Sequence, residues 1–147
     1  MKRLSFIKNC GFACVSGTIL STLLQSCSTA YYFAKSELAG NQIKILKSEF
    51  TFIRKGKPYL RSFVLVRSEQ LNFPIYLHCS SETEYTAVWM ECTHQGSELS
   101  AHGDYLSCPS HGSEFDKYGK VTSGPAPKNL RTFKTNLDET TISILLA

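Results

Sequence analysis

Two short segments constrain this chain more than any other part of it. Cys92-Thr93-His94-Gln95-Gly96 is answered downstream by Cys108-Pro109-Ser110-His111-Gly112. Each supplies one thiol and one imidazole, with Cys92 and His94 separated by one residue and Cys108 and His111 by two. Side chains so close along the chain reach one centre only if the backbone turns sharply. Gly96, Pro109 and Gly112 supply such turns, because glycine tolerates positive φ and proline presets φ. Thirteen residues lie between His94 and Cys108, so the fold must bring two loops side by side.

Cysteine and histidine together suit zinc, copper or an iron–sulfur cluster. A zinc finger more often shows Cys-x2-Cys followed by His-x3-5-His. The mixed order here fits a centre with two irons, two thiolates on one and two imidazoles on the other. The candidate ligands are Cys92, His94, Cys108 and His111. At these residues the chain resembles the Rieske [2Fe–2S] family, with its paired C-x-H and C-P-x-H-G loops. His111-Gly112-Ser113-Glu114-Phe115-Asp116 is similar to the family's H-G-S-x-[YF]-D run. Gly124-Pro125-Ala126-Pro127 resembles its proline loop, with Leu130 opening a return strand. The likeness runs from about Phe50 to the C-terminus.

The resemblance implies one [2Fe–2S] cluster and a Rieske-like small antiparallel β-sandwich with a cluster-binding tip formed by two loops. Gly96, Gly112, Ser113, Phe115 and Pro125 would surround the ligands. It implies one-electron transfer rather than catalysis by this chain, with the histidine-bound iron near the surface as the exit. Ser113 matches the position whose hydroxyl donates toward a bridging sulfide. Phe115 stands where high-potential members have a donating Tyr. High-potential members also carry an extra Cys in each loop, joined as a disulfide; here those positions are Ser97 and Ser110. The loop-to-loop spacing is shorter than usual, which implies a tighter excursion around Gly103 and Asp104. The missing disulfide places the chain nearer the disulfide-free, ferredoxin-like branch. With Phe115 and the acidic surroundings of the loops, it predicts a potential in the lower or middle part of the Rieske range of about −150 to +300 mV.

The N-terminal part reads as a targeting segment. Lys2, Arg3 and Lys8 precede an uncharged apolar stretch from Cys10 to Leu24, and Leu24-Gln25-Ser26-Cys27 resembles a bacterial lipobox. The stretch is interrupted by Ser, Thr and Gly, where a spanning helix wants about 20 apolar residues. The expected organisation is a signal peptide over 1–26, lipidation at Cys27, a lipid-anchored tether or linker over 27–46, and the cluster domain over 47–147. Arg3-Leu4-Ser5-Phe6-Ile7-Lys8 is similar to a twin-arginine signal with one Arg lost, so twin-arginine and Sec export both stay open. The expected location is extracytoplasmic: a bacterial membrane-anchored lipoprotein facing the periplasm. Of the six cysteines, Cys10 and Cys14 fall in the leader and Cys79 is left alone as a buried apolar residue.

The remaining pattern is β. Glu49-Phe50-Thr51-Phe52 alternates with period two, Lys55-Gly56-Lys57-Pro58 is a turn signal, and Tyr59 to Val66 is rich in aromatic and β-branched residues. Ile75 to Cys79, Tyr85 to Met90, Tyr105 to Ser107, Leu130 to Thr135 and Thr141 to Leu146 read as further strands. No segment sustains a 3.6-residue period. Fold class is therefore all-β, small and antiparallel, with both ligand loops at one end. Trp89 reads as core, His102 as an exposed turn histidine, and His78 has no partner visible in the sequence.

The formal net charge of +4 falls to near zero once Lys2, Arg3 and Lys8 are set aside. Its distribution is lopsided. No Lys or Arg lies between Arg67 and Lys117, a span that holds Glu69, Glu82, Glu84, Glu91, Glu98, Asp104, Glu114 and Asp116. An acidic rim around the ligand loops would steer a basic redox protein, such as a cytochrome or an oxidoreductase subunit. Nucleic acid is excluded as a partner, since no basic stripe with interleaved aromatics is present. Two other function classes remain: a zinc-binding structural module of a surface lipoprotein, and a ferredoxin-type donor to a separate oxygenase. Oxygenation by this chain itself is not expected, because it would need a further mononuclear-iron domain and little chain follows the second loop.

Overall fold

The computed structural model describes residues 31–146. The leader, the lipobox and Cys27 lie outside the described residues. Among the described residues thirteen strands appear, with every strand pair antiparallel. They are β1 (Ser36–Ala39), β2 (Gln42–Leu46), β3 (Thr51–Arg54), β4 (Lys57–Leu60), β5 (Phe63–Val66), β6 (Ile75–Ser81) and β7 (Glu84–Trp89). The second half holds β8 (Ser100–Ala101), β9 (Tyr105–Ser107), β10 (Glu114–Asp116), β11 (Val121–Ser123), β12 (Thr132–Leu137) and β13 (Thr141–Leu145). A seven-stranded sheet runs β1-β2-β13-β12-β7-β6-β5, a four-stranded sheet runs β11-β10-β9-β8, and β3 pairs with β4 alone.

The all-β expectation holds, and side-chain alternation explains the sandwich. In β5, β6 and β7 successive residues point to opposite faces. Val64, Val66, Ile75, Leu77 and Ala87 face one buried cluster, which they share with Ile43, Ile45, Ile142 and Ile144 from the far strands of the same sheet. The sheet thus rolls until β2 and β13 meet β5 and β6 across one core. Leu65, Tyr76 and Val88 face the other way, into a second cluster with Leu99, Leu106, Phe115, Cys92 and Cys108. This second core seats the four-stranded sheet and both candidate ligand loops. Strands buried on both faces explain why β5 and β6 read as continuous apolar runs.

Several boundaries differ from those expected. Part of the stretch read as tether or linker, 27–46, is folded. Its alternating β2 buries Ile43 and Ile45 and pairs with β13 from Leu46↔Thr141 to Gln42↔Leu145. Lys47–Phe50 is a short 3₁₀ turn, not the start of a strand. Tyr59 to Val66 splits into β4 and β5 at Arg61-Ser62, because β4 folds back on β3 while β5 pairs with β6.

Candidate metal centre

The two candidate loops close by the same device. In the first, the Cys92 N–H donates to the Ser97 carbonyl and the Gly96 N–H to the Cys92 carbonyl, each at 2.8 Å. In the second, the Cys108 N–H donates to the Ser113 carbonyl at 2.8 Å and the Gly112 N–H to the Cys108 carbonyl at 2.9 Å. Each ring is completed by a left-handed glycine, Gly96 at φ +70° and Gly112 at φ +75°, where a side chain would strain the backbone. This pattern turns the intervening amides inward. The His94 N–H faces the Cys92 sulfur, and the Ser110 and His111 N–H groups face that of Cys108.

The donors stand as two pairs. The Cys92 and Cys108 thiols are each only 2% exposed and lie close enough to hydrogen-bond each other. The His94 and His111 rings meet edge to face, with centroids 4.9 Å apart and planes at 89°. His94 is half-buried and His111 exposed, so the thiol pair is the inner end and the imidazole pair the outer end. A tetrahedral zinc needs its four donors around one point; a pair of thiols and a pair of imidazoles match two irons. His94 Nδ1 is buried with no hydrogen-bond partner. An orphaned polar atom of this kind costs about 1–3 kcal/mol, which a bound metal would offset. On this donor chemistry the residues fit a [2Fe–2S] group.

Burial pushes the Cys92 thiol up. Burial acts the same way on Cys108 but is outweighed there by the Ser110 N–H, the neighbouring Cys92 thiol and the His111 N–H, which hold Cys108 below the ordinary thiol range. Both sulfurs bind metal as thiolates, so metal binding would release the protons the pair holds.

A third loop braces the other two. Ser113 is fully buried, and its Oγ accepts the Ala126 N–H at 3.0 Å. With that oxygen lone pair occupied, the hydroxyl proton is turned toward Cys92, whose sulfur it meets. Ala126 belongs to the proline loop, where the Gly124–Pro125 bond is cis and Pro125 itself is exposed. Thr93, between the two first-loop candidates, donates from Oγ1 to the Lys128 carbonyl at 2.6 Å. Neither Thr93 nor Ala126 was singled out in the sequence. The only signal was position, one between two ligand candidates and one inside a Gly-Pro-x-Pro turn. Ser97 and Ser110, which exclude a disulfide, are joined instead by a hydroxyl–hydroxyl hydrogen bond of 2.9 Å. Phe115 is fully buried beneath the loops.

The remaining candidates are structural. Trp89 is half-buried, with its indole N–H on the Phe73 carbonyl at 3.2 Å. His102 is exposed, stacked on Tyr105 and hydrogen-bonded to Ser107. Cys79 is half-buried, not fully buried as expected, with its thiol on the Ser81 carbonyl. His78, partnerless in the sequence, is 2% exposed and reaches Asp104 at 3.7 Å, and Asp104 also lies 4.0 Å from Lys117.

A protein-family model of the Rieske [2Fe-2S] domain matches residues 34–134. None of the curated proteins matches the chain. Among solved structures, the cyanobacterial plasma membrane Rieske protein PetC3 from Synechocystis PCC 6803 is similar at 27% identity and a TM-score of 0.50, over 56% of this chain and 85% of that one. The Sphingomonas yanoikuyae B1 ferredoxin is similar at 21% identity and a TM-score of 0.46, over 58% of this chain and 85% of that one.

Proposed function

The chain belongs to the Rieske [2Fe–2S] domain family, and from that premise we propose that it is a lipid-anchored one-electron carrier, or the Rieske subunit of a membrane or periplasmic oxidoreductase, facing the periplasm. Cys92 and Cys108 would hold one iron, and His94 and His111 the other. When bound, the cluster accepts and gives up a single electron at a potential raised by the two neutral imidazoles. Everything else falls to the residues around it. The buried thiol pair and second core exclude water from the inner end. The exposed His111 edge gives a partner its approach. The His94, Ser110 and His111 N–H groups and the Ser113 hydroxyl direct positive dipoles at the sulfurs, which favours the more negative, reduced state.

The single observation that carries this reading is the orphaned, buried Nδ1 of His94, aligned with an edge-to-face His111 ring beyond a facing pair of free thiols. The anchor reading rests on the Leu24-Gln25-Ser26-Cys27 tetrapeptide after an uncharged apolar stretch. It agrees with the plasma-membrane setting in the name of the Synechocystis protein. Exposed Glu98, Asp104 and Glu114 in a span without Lys or Arg favour a basic redox protein as partner.

Electron paramagnetic resonance of the dithionite-reduced protein is the test. A Rieske signal from a coloured protein, lost in Cys92→Ser and in His111→Ala, is expected; a colourless protein binding one zinc would overturn the assignment. For the partner, reduction by a basic cytochrome is expected to slow as ionic strength rises, and a flat dependence removes the acidic rim from the account.

A further inference from the structure

The β3–β4 hairpin is an element that the electron-transfer account does not use. Among the described residues it pairs with no other strand, and an isolated two-stranded hairpin is marginal in water. Its base is fastened by Arg61. That guanidinium lies over the Phe52 ring at 4.6 Å and the Tyr32 ring at 3.9 Å, and donates to the Glu49 and Thr51 carbonyls. The register pairs Thr51 with Leu60, Phe52 with Tyr59, Ile53 with Pro58 and Arg54 with Lys57. Cross-strand partners share a face and successive residues alternate. One face therefore carries the stacked Phe52 and Tyr59, with Arg54 and Lys57. The other carries Thr51, Ile53, Pro58 and Leu60, with no charge at all.

Both faces reach water, with Tyr59 47% exposed on the first, but the uncharged face is the more open. Ile53 is 69% exposed and Leu60 64%. The hairpin itself is basic: Arg54 and Lys57 lie on its other face, Lys55 in its turn and Arg61 at its base, where the Glu49 carboxylate is held by Tyr32, and no Asp or Glu occurs from Thr51 to Ser68. An apolar face backed by cations on the opposite face and in the turn matches the headgroup boundary of an anionic bilayer, where apolar side chains enter the interface and the Lys and Arg behind them meet phosphates.

The chain's own geometry brings that surface near. Only Ser28, Thr29 and Ala30 separate Cys27 from Tyr31. At 3.3–3.6 Å per residue, a lipid on Cys27 keeps Tyr31 within roughly 14 Å of its attachment point. The next residue, Tyr32, lies under Arg61 and donates its hydroxyl to Glu49 at 2.8 Å, so the chain enters the fold at the base of the hairpin. We propose that the β3–β4 hairpin is a second membrane contact, resting its Ile53–Pro58–Leu60 face on anionic lipid with Arg54, Lys55 and Lys57 against the phosphates. It thereby fixes the orientation of a domain that a lipid on one residue would not orient by itself. The proposal rests on the lipid-anchor reading, and the test separates the two.

The full lipidated chain is reconstituted in vesicles of phosphatidylcholine alone and of phosphatidylcholine with phosphatidylglycerol, and amide hydrogen exchange is followed at residues 51–60. Mass spectrometry of the mature N-terminus reports lipidation separately. Slower exchange of the hairpin in the anionic vesicles only, reversed by high salt, supports the contact. The protection is expected to drop roughly fivefold for each of Lys55 and Lys57 changed to Gln, and to vanish in Ile53→Asp/Leu60→Asp. The visible spectrum checks that each variant is folded. If Cys27 carries no lipid, the anchor reading fails while the same exchange comparison still judges the hairpin. Equal exchange in both vesicle types overturns the proposal. So does protection that depends on protein concentration without lipid, since that marks a second copy as the occupant.

Discussion

Ser113 shows how a hydroxyl acquires a direction. Its oxygen is engaged by the Ala126 N–H and the side chain is fully buried, so the proton has the Cys92 sulfur as its partner. A hydrogen bond to sulfur is worth more once an electron has been added. Removing one with a differential of about 1–2 kcal/mol shifts a one-electron potential by roughly 40–90 mV. Ser113→Ala is therefore expected to lower the midpoint potential by some tens of millivolts in a redox titration, with the fold unchanged. Phe115 makes the opposite case. It is fully buried among the residues that pack on Cys92 and Cys108 and has no donor. Phe115→Tyr adds one, and the potential is expected to rise; an unchanged or lower value would mean that the new hydroxyl finds a partner other than sulfur. At this scale the sequence was most legible. Four ligand candidates and two glycines announce themselves, because each residue type has few other reasons to sit at such spacing. What it hid were contacts made through side chains of ordinary appearance: the Thr93 bond to Lys128 and the Ser97–Ser110 bond between loops.

Among elements, strands with strong apolar periodicity could be read from the residues, and strands held by tertiary pairing could not. β6, β7, β9 and β13 lie close to the expected positions. β8, β10 and β11 are two or three residues each, too short for any period to register, and exist because they pair with β9 and with one another. The stretch before Lys47 was obscured for another reason. β1 is exposed throughout, so it looks like tether, and only the Ile43–Ile45 alternation in β2 hints at a core. Both isoleucines sit in the cluster that holds Ile142 and Ile144. Ile45→Ala is expected to cost about 2–5 kcal/mol, read as a clear fall in melting temperature. If residues 31–46 were a linker, the same change would leave the melting temperature where it was.

Across the whole molecule, stability and site meet at the junction between the seven-stranded sheet and the four-stranded one. Tyr76 of β6 donates its hydroxyl to the Gly103 carbonyl in the β8–β9 turn. Two residues on, His78 points its Nε2 at Asp104 in that turn, which also faces Lys117 from the β10–β11 turn. The sequence kept this link out of sight because its partners are 26 and 39 residues from His78 along the chain and nothing local predicts that β6 runs beneath the short strands. Burial lowers the His78 pKa first and the Lys117 charge lowers it further, against the opposing pull of Asp104 and Glu84. The neutral ring is therefore the folded form. A group whose folded pKa is depressed lends stability that is complete above the unfolded value of about 6.5 and is lost as the pH falls through the folded value. Melting temperature is expected to decline between pH 7.5 and 5, and His78→Gln, which keeps a polar side chain but cannot titrate, is expected to flatten part of that decline. Parallel curves for parent and variant would show that the proton is taken up elsewhere, and that the junction between the two sheets is held by Tyr76 and packing rather than by a neutral histidine.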